Sequence, residues 1–151
     1  MTGMVKEAER VAQTLGMQLQ FVAAGNPAEI AGAFSTIAGE HTDALCIFPS
    51  PMLFAEYGTI ANMVSARRLP AIFAAREGVE LGGLMSYGTN LPNLSRQTAA
   101  YVDKVIKGVK PAELPVQQPT KFELVINLKT ANLLGLTMPH NLLVLADEVI
   151  E

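Results

Sequence analysis

Three apolar runs open near Met17, Asp43 and Pro70, about 26 residues apart, which is the length taken by a strand, a crossover helix and two short loops. Met17 to Ala24 alternates and then runs apolar, Asp43 to Pro49 reads as a fully buried strand, and Leu69 to Ala75 as a third short one. The segments between them read as helices. Gly25-Asn26-Pro27 supplies a turn, an N-cap and a proline suited to the first helical position, and Ile30, Phe34 and Ile37 continue as an apolar stripe. Ser50-Pro51 repeats that device ahead of Tyr57, Ile60, Ala61 and Val64. An earlier helix, with Met4, Ala8, Val11, Ala12 and Leu15 on one face, stops at Gly16. The pattern is βαβαβ, and right-handed crossovers make such a sheet parallel, with helices on both faces.

The second half is less regular. Gly83 to Tyr87 reads as a strand, and a helix from about Pro92 to Lys107 carries Leu94, Thr98, Tyr101, Val102, Val105 and Ile106 as its stripe before Gly108 ends it. Lys110 to Pro119 holds Pro111, Pro115 and Pro119, so it is expected to be an extended connector. Phe122, Leu124 and Ile126 alternate with Lys121, Glu123 and Asn127 as a strand, and Asn127 can cap a short helix that stops at Gly135. Thr137-Met138-Pro139 turns into a last segment whose apolar face is Leu142, Leu145, Val149 and Ile150.

At 151 residues the chain holds one α/β domain that buries roughly two thirds of its unfolded surface. Its apolar fraction of 50% and mean hydropathy of +0.28 leave apolar surface for a partner. A net charge of −3 with scattered Lys and Arg offers no electrostatic footprint for nucleic acid. Cys46 lies in the apolar run Ala44-Leu45-Cys46-Ile47-Phe48 and reads as a buried structural thiol. No apolar run has the length of a membrane span, and the first residues lead straight into an amphipathic segment, so no signal peptide is read in this chain.

In an open parallel sheet, ligands bind beyond the carboxyl ends of the strands. Those ends carry Gly25-Asn26, Pro49-Ser50 and Arg76-Glu77. Ser50 is either a plain N-cap or, with Pro51 behind it, a polar contact; Arg76 and Glu77 are either a solvated turn pair or the groups that hold a polar ligand. Ser86 falls short of a nucleophile elbow, because Gly83-Leu84-Met85-Ser86-Tyr87-Gly88 is one residue longer than Gly-x-Ser-x-Gly. His41 and His140 have no motif-spaced partners, and phosphate-binding loops and metal-ligand spacings are missing. The expectation is a protein with no catalytic constellation, cofactor or metal.

Gly82-Gly83-Leu84-Met85-Ser86-Tyr87-Gly88, with Leu69-Pro70-Ala71-Ile72-Phe73 and Arg76-Glu77 before it, resembles the substrate-binding proteins of bacterial ABC importers of the tryptophan- or tyrosine-transport-related group. The similarity continues through Tyr101-Val102-Asp103-Lys104 and Gln118-Pro119-Thr120-Lys121-Phe122-Glu123-Leu124-Val125-Ile126-Asn127 to Leu134-Gly135-Leu136-Thr137. The resemblance implies a three-layer αβα lobe with a mainly parallel sheet, the second, flavodoxin-like lobe of a type I periplasmic binding fold. It implies that residues 88–120 form a hinge, helix and proline-rich connector crossing to a first lobe that this chain does not contain. It also implies a small organic solute such as an amino acid, held by Ser50, Pro51, Arg76, Glu77, Ser86 and Tyr87 and delivered to a membrane permease in the periplasm or at the cell surface. Tyr87 then either offers its ring or hydroxyl to the solute or fills the lobe interface. A helix that exposes Tyr101, Val102, Val105 and Ile106 calls for cover, and a homodimer is the expected form. The rival readings are a cytoplasmic sensor or small α/β enzyme domain that reuses the fold, or an inactive fragment.

Overall fold

A computed structural model describes residues 2–151, which divide into two compact units with the boundary between His41 and Thr42. In the first unit, α1 (Thr2–Thr14) ends as its glycine requires: Gly16 sits at φ +68°, its N–H donates to Gln13 O, and the Met17 N–H reaches back to Ala12 O at 2.9 Å. A 3-10 turn at Pro27–Glu29 then leads into α2 (Ile30–Gly39), whose stripe of Ile30, Phe34 and Ile37 is buried. Asn26 does not cap with its side chain; its amide and the Gly25 N–H both donate to the Glu29 carboxylate at 2.7 Å.

The strand expected over Met17 to Ala24 does not form. The segment lies outside the five-stranded sheet, and Met17, Leu19 and Phe21 are exposed. Alternation tells which face a side chain prefers, but a strand exists only where a neighbour accepts its backbone ladder, and the Met17 N–H is already spent on closing α1.

The second unit carries the sheet, in the order β1 (Leu45–Cys46), β2 (Ala71–Phe73), β3 (Met85–Thr89), β4 (Phe122–Asn127) and β5 (Glu148–Ile150). Only the β3–β4 pairing is antiparallel, so the sheet is mainly parallel, as expected. Between the strands run α3 (Pro51–Ala55), α4 (Tyr57–Ala66), α5 (Glu77–Glu80), α6 (Leu91–Ile106), α7 (Leu128–Leu134) and α8 (His140–Leu145). The α4 stripe of Tyr57, Ile60, Ala61 and Val64 is buried throughout. Residues 110–117 contain one 3-10 turn, Pro111–Glu113, and are otherwise irregular.

Two further expectations differ from the structure. The run from Asp43 to Pro49 narrows to a two-residue strand, and Cys46 in it is exposed, because its register partner Ile72 lies on the half-exposed face of the sheet while Ile47 points to the buried one. Carbon packed around the Cys46 sulfur still pushes its thiol pKa up, as desolvation must. The last segment is not one amphipathic face: it breaks at Ala146, and Glu148–Ile150 joins β4 as a parallel strand. In β4 both faces are covered toward its end, for Glu123, Val125 and Asn127 are buried together with Ile126, while Phe122 is half exposed.

The buried polar positions of β4 are stable because each has partners. Asn127 accepts from the Thr130 N–H at 3.0 Å to cap α7, and its amide donates to Val79 O. Register puts Phe73, Ser86, Val125 and Glu148 in one row on the face that α5 covers. There the Phe73 ring lies edge-on to Tyr57 at 5.0 Å, and a Cβ added at Gly78 or Gly83 would fall 2.2 or 2.4 Å from that ring. Gly88 is tighter still, since its added Cβ would meet the carbonyl oxygen of Ala74 at 1.9 Å. Gly88→Ala is therefore expected to destabilise by about 3 kcal/mol, whereas Gly32→Ala, in open space on α2, stabilises by about 0.5–1 kcal/mol. Urea midpoints of the two variants against the parent check both signs.

Candidate functional site

The carboxyl ends of β1, β2 and β3 lie side by side and carry the residues singled out in the sequence. Ser50 and Pro51 follow β1. Ser50 is extended at φ −152°, Pro51 starts α3, and the Ser50 side chain makes no capping bond, so its hydroxyl is not spent on its own helix.

Arg76 and Glu77 follow β2 at the start of α5. Arg76 is not a solvated turn residue. Its Nε donates to Glu80 at 2.9 Å and its guanidinium to Glu148 at 2.8 Å, with the Glu123 carboxylate 3.9 Å away. It thereby leans across the sheet toward β4 and β5, away from β1 and Ser50. Glu80 first, then Glu148 and Glu123, raise the Arg76 pKa against the desolvation that would lower it, so the guanidinium stays charged. Glu77 turns inward, and its Oε2 is buried with no hydrogen-bond partner.

β3 splits its two candidates between the faces of the sheet, as the period of two requires. Ser86 is completely buried in the row with Phe73 and Val125, and its hydroxyl has no hydrogen-bond partner. Tyr87 is 59% exposed on the other face and stacks on Phe122 of β4, with centroids 6.0 Å apart and planes 20° from parallel. The carboxyl edge of the sheet thus carries Ser50, Pro51 and Arg76, while Glu77 turns inward, Tyr87 lies on the opposite face and Ser86 is sealed beneath. His41 and His140 are exposed, and no group of three His, Cys, Asp or Glu among the described residues is placed to hold a metal ion.

Four residues of this edge escaped the sequence reading. Tyr57 looked like one more stripe residue, yet burial pushes its phenol pKa up, a hydrogen bond to the Ala74 backbone opposes this, and the charge of Glu77 adds to it. Phe122 completes the aromatic stack. Asn90 caps α6, accepting from the Asn93 N–H at 2.8 Å, and donates its amide to Glu123 at 2.6 Å. Asn90-Leu91-Pro92 is the same cap-then-proline signal as Ser50-Pro51, displaced by one residue, and could have been found. Glu123 carried no signal, because alternation in the sequence gives no reason for a carboxylate to be buried.

Residues 2–150 match the family model described as ABC transporter substrate binding protein. A structure from Streptococcus pneumonia, of an ABC domain in complex with L-Trp, shares 29% identity at a TM-score of 0.88, covering 99% of this chain and 50% of that one. A conserved domain protein from Vibrio cholerae shares 26% identity at a TM-score of 0.87, covering 98% of this chain and 50% of that one. The ligand-free, open form of a substrate binding protein with adhesive properties from Clostridium difficile has the same fold at 20% identity and a TM-score of 0.63, over 97% of this chain and 48% of that one. The chain thus spans about half the length of the solved structures it resembles. No curated protein matches it.

Ser86→Ala removes a buried hydroxyl that has no partner, and is expected to leave stability unchanged or raise it by about 1 kcal/mol. Arg76→Met strips the buried Glu123 of its cation and is expected to cost about 2 kcal/mol. Thermal melts of the two variants check the contrast; a loss of stability in Ser86→Ala would show that its hydroxyl is bonded.

Proposed function

This chain belongs to the family of ABC transporter substrate binding proteins, and we propose that it forms the second lobe of a solute-binding protein whose ligand is an amino acid or a related small organic acid. The reading is carried by one observation, the match of nearly the whole chain to half of an L-Trp-bound ABC domain. The strand-end edge supports it. Ser50 offers an unspent hydroxyl beside Pro51, Arg76 with Glu80 and Glu148 brings charge of both signs, Glu77 stands behind them at the start of α5, and the Tyr87–Phe122 stack offers an aromatic wall. Ser86 acts from below, as the small buried residue that lets the β3 row pack on Phe73.

No step of chemistry is needed. Such a lobe binds by desolvating its solute against a facing lobe, and residues 88–120, with α6 at their centre, form the crossing toward that lobe. Delivery to a membrane permease, in the periplasm or at the cell surface, completes the role. Within this chain alone, Val102, Val105, Ile106 and Val116 are exposed around a 600 Å³ apolar groove between α6 and residues 111–117. We extend the proposal to a homodimer that covers this face when no other lobe does.

Two measurements test these readings. In a thermal-shift series with L-tryptophan, L-tyrosine and aliphatic amino acids, a two-lobed relative is expected to be stabilised by at least one of them while this chain is not, because half a cleft cannot desolvate a solute. Stabilisation of neither removes the amino-acid reading. In sedimentation equilibrium the chain is expected to associate to a dimer as concentration rises, and a monomer mass at all concentrations contradicts the dimer.

A further inference from the structure

The chain leaves the sheet at the end of β3 and returns at the start of β4, and one residue ties both passages through its backbone and its side chain. The Asn90 N–H donates to Lys121 O at 3.1 Å, joining the outgoing and returning strands. The Asn90 Oδ1 holds the first turn of α6 through the Asn93 N–H, and its Nδ2 donates to Glu123 Oε2 at 2.6 Å. Glu123 is only 7% exposed. A carboxylate so desolvated has to be bonded and compensated, and Arg76, 3.9 Å away, provides the charge while it is itself pinned by Glu80 and Glu148. The links therefore run without a gap from α5 and β5 through Arg76 and Glu123 to the cap of α6.

A capping residue needs only an acceptor for its helix. The second bond made by Asn90, to a carboxylate anchored in the sheet, does nothing for the cap and fixes a direction. Elsewhere α6 is held by its apolar contact with the connector, where the Tyr101 hydroxyl donates to Pro115 O. That connector leaves and returns with the helix and so cannot orient the pair against the sheet. We propose that Arg76, Glu123 and Asn90 form a brace that sets the angle at which the α6 arm leaves the sheet. If the arm is the crossing to a facing lobe, as proposed above, the brace sets the resting angle of the hinge. The brace itself needs no solute and is testable in this chain alone.

The test measures the distance between spin labels at Ala100→Cys on α6 and Lys129→Cys on α7, both exposed positions, in a Cys46→Ala background diluted with unlabelled chain so that only intramolecular distances count. Ala100 lies about 14 Å along α6 from its start, so a swing of roughly 15° about Asn90 moves it by about 4 Å. Asn90→Ser keeps an acceptor for the cap and loses the bond to Glu123. It is expected to shift or broaden the distance distribution by about that amount, with the helix signal in circular dichroism unchanged. Glu123→Leu leaves the cap untouched, fills a similar volume and is expected to do the same, which covers the case in which serine caps poorly. Distributions coinciding with the parent in both variants would overturn the brace. Loss of solute binding in a two-lobed relative would not bear on it, so the two proposals fail separately.

Discussion

The carboxylate of Glu123 is where several connections of the second unit meet. It sits on a strand position that the core claims, and a charge there is tolerated only if a donor and a cation come to it. Asn90 supplies the donor and Arg76 the cation, and each is drawn from a different connection: Asn90 from the exit toward α6, Arg76 from the turn after β2. One buried carboxylate thereby links side chains from the end of β2, the end of β3 and the start of β4, which the ladder already sets side by side. Glu80 and Glu148 add α5 and β5 to it. An apolar residue at position 123 would satisfy the core and leave the strand ladders intact, but would lose the side-chain links to Asn90 and Arg76.

The same constraint reinterprets Arg76. As a residue after a strand end it reads as a turn side chain or a ligand contact; in the structure it is first an organiser of the edge on which a solute would rest. The two roles are compatible, because a guanidinium presents five donors and the recorded partners do not use all of them. Surface pairs such as those with Glu80 and Glu148 are individually weak, and their carboxylates are about half exposed. The anchoring strength lies in the desolvated partner, Glu123.

Much of this was legible in the chain. Glycine stops and polar caps are local devices, so Gly16, Gly108, Gly135 and the Asn127 cap read directly. Helical stripes were legible where a helix is buried on one face, as Ile30, Phe34 and Ile37 show. Non-local decisions were not. Met17 to Ala24 alternates like a strand but has no place in the ladder, and Val149 with Ile150 looks helical but finds β4 beside it. The facing of β4 could not be read from hydrophobicity, since Glu123 and Asn127 are buried for their hydrogen bonds. For the site, spacing located the strand ends. Which side chain points up, down or across was decided by register: it sealed Ser86, exposed Tyr87, and turned Arg76 toward strands that are distant in sequence.

The central claim is that the carboxyl ends of β1, β2 and β3 form this lobe's half of a solute cleft. A crystal structure of a two-lobed relative, soaked with the amino acid that most raises its melting temperature, tests this most directly. Solute density is expected at that edge, within hydrogen-bond distance of at least one residue equivalent to Ser50, Arg76 or Glu77. Density at the opposite ends of the strands, or confined to the facing lobe, would contradict it.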